Sequence, residues 1–238
     1  MVKVFKDPNE LLTALADFIV AKAKEIVKRE GRFNFVLSGG SSPKKLYELL
    51  ASDSYKTRID WKNVFFFFGD ERYVAHTSPD SNFFMVKKAL FDPLKIKPDH
   101  IFGVDTSLPL KDAALDYEKK IKKHLEGQYR FDLVLLGLGD NSHTASLFPR
   151  TSVLHEKKAL VKEIYVEEVK MDRITFTAKL INRADTVVFL VYGAGKAEAI
   201  HHILKDPKNI EEYPAQLIHP DQGDIQWFID EPAARLIQ

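Results

Sequence analysis

The chain has no cysteine. Disulfides, thiol catalysis and thiolate metal sites are excluded with it, and a reducing compartment is the setting that agrees. An excess of either charge is missing too. Lys and Arg number 35 against 34 Asp and Glu, so no global field gathers nucleic acid or an anionic membrane, and an anionic ligand must be held by a local site. No apolar stretch approaches the ~20 residues that a membrane helix needs. The first residues, M-V-K-V-F-K-D-P, lack a charged start followed by a long apolar run, so no signal peptide is expected. No internal repeat, low-complexity segment or Pro/Gly-rich linker divides the chain. These absences predict a cytoplasmic protein with one domain over 1–238, long enough to bury a sizeable core.

What is present alternates between short apolar runs and helical patterns. Asp7-Pro8-Asn9-Glu10 reads as a helix start, with Asp7 as N-cap, Pro8 in the first turn and Glu10 closing a capping box. Leu12, Leu15, Ile19, Ala23 and Ile26 follow at helical spacing, and Gly31 ends the helix. Apolar runs at 33–37, 64–68, 131–136, 186–192 and 225–229 read as buried strands. A short edge strand is expected at 100–104, and further strands at 159–166 and 173–177. Helices are expected at 44–50, 83–90, after 196 as far as 203, and through Ala113, Ala114, Tyr117, Ile121 and Leu125, with shorter ones at 144–148, 214–218 and after 231. Lys119, Lys120, Lys122 and Lys123 read as a solvated helix face and not a nucleic-acid patch. The alternation predicts a doubly wound, mostly parallel α/β sheet with helices on both faces, a three-layer, Rossmann-like fold. In that topology the loops 38–43, 69–72, 137–143 and 193–196 open on one edge, where a ligand pocket lies.

Three of those loops carry chemistry. S-G-G-S-S-P, at 38–43, stands between a strand and a helix, where free N–H groups and the helix dipole favour an anion. An ordinary strand-to-helix turn that binds nothing has the same look. At 69–72, G-D-E-R follows an apolar run, and a solvated charge cluster is the plain alternative to a functional loop. The third is 137–143, G-L-G-D-N-S-H, which delivers His143 from the central apolar strand; a hydrogen-bonded, purely structural His is the competing reading. Other chemistries lack their residues. There is no G-x-S-x-G elbow and no H-E-x-x-H, and His201 and His202 are expected to face apart. Ser146, three residues after His143, is a weak candidate for a Ser–His pair. G-L-G at 137–139 is only a fragment of the dinucleotide fingerprint, and G-A-G-K at 193–196 lacks the rest of a P-loop, although Lys196 still offers a point charge.

Taken together, S-G-G-S-S-P, G-D-E-R-Y-V followed by S-P-D-S-N, H-T-A-S-L-F-P, R-I-T-F-T and P-A-Q-L-I resemble the 6-phosphogluconolactonase family, in that family's order and over nearly the whole chain. This family belongs to a larger group of sugar-phosphate enzymes that also contains glucosamine-6-phosphate deaminase. The resemblance implies hydrolysis of 6-phospho-D-glucono-1,5-lactone to 6-phosphogluconate, in the oxidative pentose phosphate pathway, without metal or organic cofactor. It implies His143 as the base that activates water and Arg72 as the cation meeting the oxyanion. Gly39, Gly40, Ser41, Ser42, Arg173 and Lys196 would hold the phosphate, with Asn82 and Asn141 also on the substrate side. The partner expected is a small sugar phosphate, with no nucleic acid or membrane, for a monomer or weak homo-oligomer.

One departure stands out. The family reads G-x-D-G-H where this chain has Gly139-Asp140-Asn141-Ser142-His143. An Asn carbonyl can accept from an imidazole N–H but brings no full charge, and Asp140 could compensate only in a rearranged turn. Ser142 suggests a position without demand for a glycine conformation. The deaminase alternative needs an Asp before its His and a Glu shortly after, and 144–149 holds no carboxylate. A sugar-phosphate-binding domain without turnover is the alternative from another class.

Overall fold

The computed structural model describes residues 1–127 and 129–238. Its strands, in chain order, are β1 Val2–Phe5, β2 Phe33–Leu37, β3 Val64–Phe68, β4 Asp70–Arg72, β5 Ile101–Phe102, β6 Leu133–Leu136, β7 Val161–Val166, β8 Met171–Phe176, β9 Thr186–Val191 and β10 Asp224–Asp230. Its helices are α1 Pro8–Glu30, α2 Ser41–Leu50, α3 Asn82–Val86, α4 Asp92–Leu94, α5 Leu110–Leu125, α6 Ala178–Ile181, α7 Ala197–Leu204 and α8 Glu231–Ala234.

Seven strands pair in parallel in the order β1-β10-β9-β6-β2-β3-β5. Helices cover both faces, because side chains alternate and both sets are apolar. Phe35 and Leu37 of β2 pack with Leu15, Leu46 and Tyr47 on one side; Val36 between them packs with Tyr117 and Ile121 on the other. This is the expected three-layer α/β fold. From β2 the chain builds outward through β3 and β5, then returns to β6 and grows the other way. The sheet's switch point therefore lies between β2 and β6, where open α/β sheets form a crevice at the strands' carboxyl ends.

α1 starts as its sequence predicts. Asp7 accepts from the N–H groups of Asn9 and Glu10, and Gly31 closes the helix in the left-handed region. The Glu10 carboxylate receives the Lys6 N–H, one residue before the expected partner. Elsewhere the chain departs from expectation. Residues 70–72 form a strand, not a charged turn, and join β8 and β7 in a second, antiparallel sheet ordered β4-β8-β7. Charge hid this strand: Asp70 and Glu71 are buried because protein donors satisfy them. β1 is an unforeseen edge strand. Residues 144–148 are not helical; Thr144 and Leu147 form an isolated bridge, and Ala145 has φ 48°. α2 begins at Ser41, so both serines lie inside its first turn instead of ahead of it. The helix expected at 83–90 is α3 continued by a π-helical stretch, Lys87–Phe91, into α4.

Asp7→Ala removes the carboxylate that holds two N–H groups at the start of α1. We expect a loss of about 1 kcal/mol, read as a fall of ~2–4 °C in the midpoint of thermal unfolding.

Candidate active site

A cleft of about 290 Å³ opens at the carboxyl ends of β2, β3, β6 and β9. Its walls are 38–43, Asp70, Arg72, Asn82, 137–139, 143–145, Arg173, 190–192 and Lys196. Gly39, Gly40, Ser41, Ser42, Asn82, Arg72, His143, Arg173 and Lys196, drawn from separate segments of the chain, thus share one cavity. Asn141 is the exception, standing outside the cleft and behind His143.

Two buried tyrosines set the strand ends that carry the loops. Where β2 ends, the Tyr47 hydroxyl accepts from Ser38 N–H at 2.9 Å and donates to Ser38 C=O at 2.8 Å. Where β3 ends, the Tyr117 hydroxyl does the same for Phe68, at 2.7 and 3.0 Å. Each satisfies both polar groups of a residue at the point where the chain turns off the sheet. A tyrosine at a helical core position was the available signal, since a buried phenol needs a partner. Beyond Ser38, Gly40 has φ 102° and serves as N-cap of α2, a backbone state that suits glycine. The first-turn N–H groups of Ser41 and Ser42 follow it, without intrahelical acceptors.

Asp70 and Glu71 frame the next wall. One oxygen of Asp70 accepts from Ser146 Oγ at 2.6 Å and lies 3.6 Å from Arg173 Nη1; the other accepts from Asn82 Nδ2 at 3.2 Å. Ser146 is fully buried and committed to Asp70, so the Ser–His pair does not form. Glu71 accepts from the N–H groups of Arg72, Asn82 and Phe83 and from Ser81 Oγ, which ties the start of α3 to β4. Burial pushes the Glu71 carboxyl up to about 7 against the pull of these backbone donors. Among the described residues, three buried polar atoms of the cleft lining have no protein partner: Arg72 Nε, Arg173 Nε and Asn82 Oδ1. Buried groups rarely go unpaired, so this unspent hydrogen-bonding capacity marks where a polar ligand fits.

The imidazole of His143 stacks on Phe148, with centroids 3.9 Å apart, and lies against Gly139. A Cβ on Gly139 would sit 2.1 Å from Nδ1, so only glycine leaves room for the ring. Nδ1 is 2.5 Å from Asn141 Oδ1, and Asn141 Nδ2 donates to Glu168 Oε2 at 2.7 Å. Burial lowers the imidazole to about 4; Asp70 raises it, while the Arg173 and Lys196 charges lower it further. The ring is therefore neutral at neutral pH. Asp140 does not bond to the ring in place of Asn141, being 2.6 Å from Lys196 Nζ, and its charge raises the imidazole less than Asp70 does. Glu168 lies outside every sequence pattern considered, on the turn between β7 and β8.

Two further expectations need correction. Ser142 has φ 63°, the left-handed region, so this position does favour glycine and the serine adopts its conformation under steric cost. His201 and His202 do not face apart; both reach Asp206, at 3.4 and 2.6 Å. Among the described residues no three His, Asp or Glu side chains converge as a metal-ligand group.

Ser142 makes a stability prediction. Ser142→Gly should hold or raise stability by up to about 1 kcal/mol, whereas the β-branched Ser142→Val should lower it by about 1–3 kcal/mol. Thermal unfolding of the two variants reads the difference.

Comparison with known proteins adds an independent line. The model of the family described as glucosamine-6-phosphate isomerases/6-phosphogluconolactonase matches residues 6–227. A 6-phosphogluconolactonase of Nostoc sp. is 37% identical, over 98% of this chain and 96% of its own length. One of Rattus norvegicus is 33% identical, over 100% and 93%. Among solved structures, a 6-phosphogluconolactonase from Thermotoga maritima gives a TM-score of 0.85 at 30% identity, over 97% of this chain and 99% of that one. That of Trypanosoma brucei gives 0.86 at 28%, over 100% and 98%. A match that takes in both the β2 and β6 loops, and relatives that align end to end, leave no part of the cleft outside the comparison: the chain belongs to the glucosamine-6-phosphate isomerase/6-phosphogluconolactonase family.

Proposed function

We propose that this cleft hydrolyses 6-phospho-D-glucono-1,5-lactone to 6-phosphogluconate, with His143 as general base. The observation that carries the reading is a neutral imidazole whose Nδ1 is tied to Asn141, in a cleft rimmed by Arg72, Arg173, Lys196 and the start of α2. With Nδ1 occupied, Nε2 is left for the cleft. A water bound there loses its proton to Nε2 as its oxygen attacks the lactone carbonyl carbon. The carbonyl oxygen becomes an oxyanion beside an arginine. Nε2 then returns the proton to the ring oxygen as the carbon–oxygen bond breaks, leaving the open-chain acid. Only water and side chains of this chain take part in these steps.

The α2 N-terminus and its serines offer the phosphate site, together with Lys196. The two arginines are cross-strand partners on β4 and β8, and either can meet the oxyanion. The sequence reading gives that role to Arg72 and the phosphate to Arg173. A second assignment exchanges them, because Arg173 is the arginine whose charge bears on His143, while Arg72 also borders a side cavity with Gly40, Ser41 and Lys44. The deaminase alternative is not favoured: Asn141 replaces the carboxylate it needs, and the relatives named above are lactonases. The reading further takes 1–238 as one cytoplasmic domain, monomeric or weakly self-associating. Among the described residues no helix is long and apolar enough to cross a membrane.

His143→Ala should lower the enzymatic rate of lactone loss, corrected for spontaneous hydrolysis, by about 10²–10⁴-fold. It should leave 6-phosphogluconate binding in place. Binding with no turnover in the unaltered chain would instead support the non-catalytic alternative. Protonation removes the lone pair, so kcat/KM should be flat near neutrality and fall as pH drops through about 4. The limb in kcat should lie higher, because bound phosphate offsets the two cations that depress the ring. Arg72→Lys and Arg173→Lys divide the arginine roles: the variant that loses kcat with little change in KM marks the oxyanion partner, and the one that raises KM marks the phosphate ligand.

A further inference from the structure

We infer that Glu168 is a positioning residue for His143, acting through Asn141 to select the imidazole tautomer. The inference rests on His143 being the base. An aspartate at 141 could only accept, and would hold a proton on Nδ1 unaided. An asparagine side chain has an accepting and a donating end of nearly the same shape. Turned the wrong way, it would donate to Nδ1, put the imidazole proton on Nε2 and leave no lone pair toward the cleft. The same fault in a Ser-His-Asp triad, made by changing Asp to Asn, is worth about 10⁴ in kcat.

The geometry of this chain removes that ambiguity from outside the cleft. A carboxylate is acceptor only, and Glu168 Oε2 lies 2.7 Å from Asn141 Nδ2. The donating end of the amide is thereby turned outward, and Oδ1 is turned to the backbone N–H of His143 at 3.2 Å and to Nδ1 at 2.5 Å. A flipped amide would lose the bonds to Glu168 and to the His143 N–H, reach Nδ1 only by donating to it, and set its carbonyl oxygen against the carboxylate. Arg150, which shares the surface depression with Glu168, is engaged by Glu212 at 2.5 Å, and Lys196 by Asp140 at 2.6 Å. Neither draws Glu168 from the amide. The charge–dipole chain also polarises Oδ1 toward the ring, the direction in which an aspartate would act.

The test pairs kinetics with a direct view of the ring. Glu168→Gln offers either end of its own amide to Asn141, and Glu168→Ala offers neither. Both should lower kcat about tenfold, part of the full wrong-tautomer loss, with KM for the lactone changed less than about twofold. The ¹⁵N shifts of His143 should move from the Nδ1–H pattern toward Nε2–H. In an Asn141→Asp background, where 141 can only accept, Glu168→Gln should cost nothing further. Unchanged kcat and ¹⁵N pattern in both Glu168 variants would overturn the inference, as would an equal loss in the Asn141→Asp background. If the unaltered chain does not hydrolyse the lactone, the function fails, while the ¹⁵N shifts still decide the role of Glu168.

Discussion

Asp70 occupies the point where the chain passes from the large sheet to the small one. Gly69 still bonds to Leu37 of β2 and to Phe176 of β8, and β4 begins at the next residue. Asp70 is only 6% exposed, and a carboxylate so placed is tolerable only when protein groups answer its charge. Ser146, Asn82 and Arg173 do so. They come from the His143 loop, α3 and β8, so satisfying one charge draws three walls of the cleft together. Arg173 is aimed by that ion pair and rests on Phe148, which in turn stacks on His143. The arrangement explains why an apolar strand runs straight into three charged residues.

The cleft sets two electrostatic requirements against each other. Holding a phosphate calls for cations and free N–H groups, and those same charges lower the proton affinity of a nearby imidazole. Burial already acts in that direction, and here it is the larger effect. A base near 4 is never silenced by protonation at neutral pH, but it is intrinsically weak. In such a site, holding the lone pair on the correct nitrogen and in line with the water matters more than basicity. The stacking on Phe148, the Gly139 surface and the Asn141 bond all restrict the ring.

The parts of this site legible in sequence are those in which composition changes abruptly. Apolar runs stopping at S-G-G-S-S-P, G-D-E-R and G-L-G-D mark strand ends, and in a parallel sheet the ends of neighbouring strands converge. That is enough to bring Ser41, Arg72 and His143 into one cleft. The remainder depends on partners that no local pattern reveals. β4 was hidden because its charges are answered by residues elsewhere in the chain, from Ser81 to as far away as Arg173. The 144–148 segment looked helical by composition, yet the Thr144 hydroxyl bonds back to Gly137 C=O and Ala145 turns left-handed. β1 finds its partner at the far end of the chain, in β10. Tyr117 reads as a core residue and Tyr47 only as part of a helix; both are buried, and only the structure shows their hydroxyls at the strand ends.

The turn before His143 shows how a family motif can change without losing its shape. Ser142 in the left-handed region is disfavoured by its own Cβ, so the conformation has to be imposed by surrounding bonds. Gly139 N–H donates to His143 C=O, Ser142 N–H to Gly139 C=O, and Ala215 N–H to Ser142 C=O. The last of these gives P-A-Q-L-I a purpose. Its short 3₁₀ turn, Pro214–Leu217, presents the Ala215 N–H to the Ser142 carbonyl, while Gln216 Nε2 anchors the turn to His202 C=O. A segment some seventy residues beyond the histidine thus helps to fix the peptide plane that precedes it. With the backbone determined from three sides, position 142 can carry a serine at a small steric cost, and position 141 can exchange a carboxylate for an amide while still reaching Nδ1. What the backbone cannot determine is which end of that amide faces the ring. That choice falls to groups bonded to the side chain itself, the His143 N–H on one side and Glu168 on the other.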